Sequence, residues 1–146
     1  IPGSDSASPS LTAPPSPAID QAVLKRCLAG LAVLTKAMGD ANGDTFQLDH
    51  STHQRSDFET YVTQIQGLLP AVRAAKESRP FLKAKVAMVQ ALGLLVQGYQ
   101  QELAATSQAE SDAGQAVVDH GDRIFKVLNQ TLPAAGDRCS ALASRS

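Results

Sequence analysis

The chain has 146 residues, with 13 Lys and Arg against 14 Asp and Glu, a formal net charge of −1. That length suits one ordinary domain, and the near balance of charge disfavours a general nucleic-acid binder, which carries a basic excess. Apolar residues at 43% suffice for a core and abundant alanine favours helix, while aromatics at 4% and no Trp argue against an aromatic-lined nucleotide or sugar site.

Residues 1–17 are rich in Pro, Ser and Ala, have no helical period, and read as a flexible tether to one helical domain over 18–146. Such tethers commonly follow a cleaved signal peptide or a lipid-bearing N-terminus. The first helix is expected to open near Ser16–Pro17 and to carry Leu24, Cys27, Leu31, Leu34 and Met38 at alternating three- and four-residue spacing. Gly39 is the expected stop, and Gly39 to Arg55 reads as a long mobile loop. The second helix opens on Ser56-Asp57-Phe58-Glu59, a capping-box pattern, with Phe58, Val62, Ile65, Leu69 and Val72 inward and a kink at Pro70. The third starts at Pro80, with Leu82, Val86, Val89, Leu92, Val96, Tyr99 and Leu103 as its seam. The fourth runs from about Gln108 to Thr131 on Ala113, Val117, Ile124, Phe125 and Leu128, and Pro133 and Gly136 end regular helix before Cys139. Short connections make the later helices antiparallel neighbours. The expected fold is all-α: an up-down-up-down four-helix bundle behind a Pro/Ser-rich tether.

Cys27 and Cys139 belong to no redox, zinc or haem-attachment spacing. They suit one long-range disulfide closing a loop of about 110 residues, worth ~4–5 kcal/mol in the chain-entropy model. A disulfide implies an oxidising compartment, periplasmic or extracellular, with a lipid anchor on the native precursor as one form of attachment. No run approaches the roughly 18 apolar residues of a membrane span.

The loop reading of Gly39–Arg55 raises two metal candidates. Asp40, Asn42 and Asp44 have the opening spacing of a calcium loop, but Thr45 replaces the turn glycine and Ser51 the closing Glu. His50 and His53 have a spacing that can share a metal, without a marked third ligand. His120 and Met38 are the corresponding haem pair, with no attachment motif. A polar loop, two solvated histidines and a partly buried His120 are the simpler expectations. No nucleophile elbow or phosphate-binding glycine loop occurs, and no Asp or Glu falls on an expected core face; Asn129-Gln130-Thr131 is a sequon by pattern only. No cofactor is expected.

The third helix is apolar beyond its seam. Phe81, Met88 and Leu95 form a second stripe with Leu94 further round, and Ala84, Ala91 and Gly98 lie between. A wide core explains this, or else a partner surface on which small residues allow close approach. Gly30, Gly67, Gly93 and Gly121 read as close helix contacts. Arg73, Lys76, Arg79, Lys83 and Lys85 against Glu77 make one end basic, and Asp40, Asp44, Asp49, Asp57, Glu59, Glu102, Glu110 and Asp112 make the other acidic. The expected function is a non-catalytic periplasmic or secreted module that binds another protein, as an adaptor, pilot, inhibitor or immunity-type protein does. Its partner surface is expected at Phe81, Met88, Leu94 and Leu95, rimmed by Arg79, Lys83 and Lys85. The alternative is a carrier of a small ligand, metal or lipid within the bundle.

Overall fold

The computed structural model describes residues 19–76 and 79–145. The tether, the Ser16–Pro17 helix start and Glu77 lie outside them. Five helices follow in order: α1 (Gln21–Asp49), α2 (Arg55–Ala74), α3 (Leu82–Ala104), α4 (Gln108–Thr131) and α5 (Ala135–Arg145). The first four form the bundle. α3 is central, packing on α2 and most extensively on α4, while α1 packs on α2 and on α5.

α1 begins where the Asp20 carboxylate accepts from the backbone N–H groups of Ala22 and Val23, at 3.0 and 3.2 Å. It does not stop at Gly39. The inward spacing of Cys27, Leu31, Leu34 and Met38 continues through Ala41 to Leu48, all buried. Gly39 and Gly43 fall on the exposed side, where each costs about 1 kcal/mol of propensity. Burial of Ala41 and Leu48 against the bundle offsets that cost. The expected long loop is therefore two further turns and more of helix, and the connection shrinks to residues 50–54.

α2 also starts earlier than its sequence pattern suggests. The Gln54 N–H donates to Asp57 at 2.9 Å and the Gln54 side chain takes the reciprocal bond, so the capping box is Gln54/Asp57 rather than Ser56/Glu59. Glu59 instead pairs with Arg55 at 2.9 Å. Pro70 sits inside the last turns of α2 on an exposed position. Tyr61, Val62, Ile65 and Val72 are its buried residues.

α3 is rotated from the expected face. Phe81, Met88, Ala91, Leu92 and Leu95 are buried, whereas Leu82 and Val86 are 52% and 59% exposed. The cause is the α3–α4 crossing. A Cβ on Gly98 would lie 2.7 Å from the Val118 backbone nitrogen, and one on Gly114 would lie 2.9 Å from the Gly98 carbonyl oxygen. The small residues of α3 do permit close approach, but the element that approaches is α4. Gly121 is likewise tight against Ala91 and Leu94, and Gly30 against Lys76 and Phe81, while Gly67 and Gly93 face open space. The segment Arg79–Ala104 is long and apolar enough to cross a membrane by length and composition. In this fold α2 and α4 cover only part of that circumference, 39% of the apolar window being buried, and α5 packs on the short 3-10 turn Arg79–Phe81.

Pro133 does not end the helical path. It sits in a 3-10 turn, Leu132–Ala134, which feeds directly into α5. α5 returns along α1, its Ala143 carbonyl accepting from the Asp20 N–H at 3.1 Å. Cys139 is thereby brought to Cys27. The two are disulfide-bonded with Cα atoms 5.6 Å apart, and both are fully buried. No polar or charged residue among those described is buried.

Candidate functional site

Of the expected partner surface, Phe81, Met88 and Leu95 belong to the core, with exposures of 0%, 0% and 3%. Leu94 is half-buried with its Cβ against Gly121, so it faces α4. Lys85 is not a free rim charge either, because its Nζ donates to the Ala75 carbonyl at the C-terminus of α2, at 2.9 Å. What remains at this end is different in composition. Leu82 and Val86, one turn apart, project outward beside exposed Arg79 and Lys83, with Arg73 and Lys76 exposed on the adjoining turn. Beyond Val86 the outer positions Gln90, Gln97 and Gln100 are polar, so the apolar edge is confined to the start of α3.

The metal candidates do not assemble. Asp40, Asn42 and Asp44 are helical, and residues two apart on a helix point about 200° away from each other. Asp40 accepts from Lys36 at 2.6 Å, and Asn42 donates to Asn129 at 3.0 Å. His50 stacks on Phe46 with ring centroids 4.0 Å apart and its Nδ1 lies 2.9 Å from the Phe46 carbonyl. His53 has a positive φ of 57°, with its N–H donating to Ser51 Oγ at 3.1 Å. His120 is exposed on α4, contrary to expectation, while Met38 is in the core. Among the described residues no group of three or more His, Cys, Asp and Glu is placed to hold a metal ion.

The far end of the bundle is the one the sequence marks as acidic, but the aromatic cluster there carried no sequence signal. There Tyr61 and Tyr99 meet edge to face at 5.2 Å, Phe58 lies 5.7 Å from Tyr99, and the Tyr61 hydroxyl is 3.1 Å from Thr45 Oγ1. Carboxylates crowd this pair. Burial and then Asp119 raise the Glu102 carboxyl above its usual range, and burial, Asp119 and Asp49 do the same to Asp122. Asp44 is raised by burial and by Asp40. Burial pushes the Tyr61 phenol up to about 12, against the hydrogen bond to Thr45, and it raises Tyr99 as well. None of the three carboxylates is itself buried, so each stands at the edge of the core rather than on its face.

Two of the clefts at this end are of a size to note. One, of about 350 Å³ between α1 and α4, has Ala41, Leu95 and Phe125 at its base and Asp122 and Lys126 on its wall, and the Asn42–Asn129 bond spans its rim. Asn129 also donates to the Phe125 carbonyl at 3.2 Å. The second, of about 480 Å³, lies beside Phe58 and Tyr99. Comparisons with protein-family models, with curated proteins and with solved structures found no match for this chain.

Proposed function

We propose that the chain is a non-catalytic helical module of the periplasm or extracellular space that docks an acidic protein partner on the outward edge of α3. The observation carrying this reading is the pair Leu82 and Val86, each more than half exposed, beside exposed Arg79 and Lys83. Two apolar side chains on a rigid helix can supply a desolvated contact centre, and the basic rim raises the rate of encounter with an acidic surface. The Cys27–Cys139 bond supports an oxidising compartment. A surface preformed on a rigid helix binds at a lower ordering cost, which suits an adaptor, pilot, inhibitor or immunity-type protein.

The test sets wild-type protein beside a Leu82→Asp/Val86→Asp variant, both immobilised and exposed to periplasmic or secreted fractions of the source organism. The wild type is expected to retain an acidic protein that raised salt releases and that the variant fails to retain. Both positions are exposed, so the variant's stability should stay within about 0.5 kcal/mol per site. Equal retention by both chains contradicts the reading.

A further inference from the structure

We infer that the cleft beside Phe58 and Tyr99 is a binding site for a small organic ammonium ion carrying a short aromatic or aliphatic body. The cleft, about 480 Å³, opens between the 50–54 connection, the start of α2, the end of α3 and α4. That volume falls in the range of small-molecule sites. Its base is apolar, built from Phe58, Tyr99 and Leu103, with the first two rings tilted 36° to one another. Tyr61 packs edge-on behind Tyr99 and fixes that ring. Aromatic faces carry partial negative charge and attract a cation laid over them.

The two charged groups on the wall are not equivalent. Arg55 is already engaged, its Nε donating to Glu59 at 2.9 Å and its Nη1 to the Leu103 carbonyl at 2.8 Å. Glu102 has neither an ion pair nor a side-chain hydrogen bond among the described residues. Its Cγ lies 2.8 Å from where a Cβ on Gly114 would stand, so the missing side chain of Gly114 makes the room that Glu102 occupies. Asp119 on α4 adds negative potential to it. An ammonium group would donate to the Glu102 carboxylate and relieve this repulsion, while its body covers Phe58 and Tyr99. An anion would meet the repulsion, and a neutral molecule would gain only the apolar base. The site stands about 24 Å along α3 from Val86, so its test and that of the docking edge are independent.

The test is an amide NMR titration of the full chain with phenylethylammonium, cadaverine and choline, set against neutral phenylethanol and anionic phenylpropionate. At least one cation is expected to give saturable shifts at Phe58, Tyr99 and Glu102 with Kd below about 1 mM, a modest affinity for a half-open site. The neutral and anionic analogues should bind at least about tenfold more weakly, and Glu102→Gln should lose about tenfold in cation affinity. Phe58→Leu, which keeps the base apolar but removes a ring face, should also weaken the cation and serves if Glu102→Gln does not fold. Absence of saturable shifts with all three cations, shifts confined to other residues, or unchanged affinity in the variants would overturn the assignment.

Discussion

Gly98→Ala tests the α3–α4 crossing that determines which face of α3 is buried. In an open helix position the substitution gains about 1 kcal/mol of propensity. At Gly98 the new methyl would stand 2.6 Å from Val118 Cγ2, 2.7 Å from the Val118 nitrogen and 2.8 Å from the Gly114 carbonyl oxygen. Two of those neighbours are backbone atoms and cannot swing aside, so the helices must separate. Overpacking of this kind costs about 1–3 kcal/mol and more where backbone must move, which exceeds the propensity gain. The expected net loss is about 2 kcal/mol, or a Tm lower by roughly 6–8 °C in a domain of this size. Gly93→Ala is the control on the same helix, since nothing lies within 4 Å of its added Cβ. It should raise Tm by about 3 °C. Thermal unfolding followed by circular dichroism reads both variants. A Gly98→Ala chain as stable as Gly93→Ala would show that α3 and α4 do not approach so closely and that the face assignment is wrong.

Three further predictions follow from burial and charge. Replacing Cys27 and Cys139 by Ser should lower stability by up to ~4–5 kcal/mol while leaving helix content unchanged, and peptide mapping should recover the cross-linked pair; two titratable thiols in native protein would contradict it. The two tyrosines, free of Trp background, should form no tyrosinate in the folded chain near the ordinary value of 10.0, because Tyr61 is held up to about 12 and Tyr99 is also raised. The folded state then keeps protons the unfolded chain has lost, so their stabilising contribution is full below the unfolded value and disappears as pH rises through the folded one; an ultraviolet titration with ordinary midpoints in folded protein would refute the packing. Asp122, raised above 3.8 chiefly by burial, favours the fold only when protonated, so its contribution is lost as pH rises through the folded value. Asp122→Asn should therefore raise stability near neutral pH by about 0.5 kcal/mol, small because solvent screens the site, and the gain should vanish in acid; a lower Tm at neutral pH would contradict this.

Much of the fold was legible from periodicity. α4 occupies Gln108–Thr131 as expected, and the Cys27–Cys139 pairing stands. The extension of α1 was hidden because Ala41 and Leu48 carry its stripe past Gly39 and the Asn42-Gly43 pair, which read locally as a turn. Tertiary burial overrode that local signal. The face of α3 could not be read from α3 itself, since an apolar majority of its circumference leaves several rotations equivalent. Gly98, Gly114 and Gly121 choose among them, and that choice exists only in the pair of helices. α5 was masked by Pro133 and Gly136, though proline is well tolerated in the first turn of a helical segment. The ammonium cleft had no spacing signal at all: Phe58, Tyr99, Glu102 and Gln115 come from three helices and meet only after the bundle closes.

The most direct test of the docking surface is site-specific photocrosslinking in the native compartment, with a photoreactive phenylalanine analogue placed separately at Val86 and at Gln97. The two positions share the outward face of α3, being eleven residues and about three turns apart. Val86 lies in the apolar edge with its basic rim and Gln97 on polar surface. Position 86 is expected to give one discrete adduct with an acidic protein, abolished by charge reversal at Arg79 and Lys83, and position 97 none. Adducts from Gln97 alone, equal adducts from both positions, or none from either would contradict the docking edge.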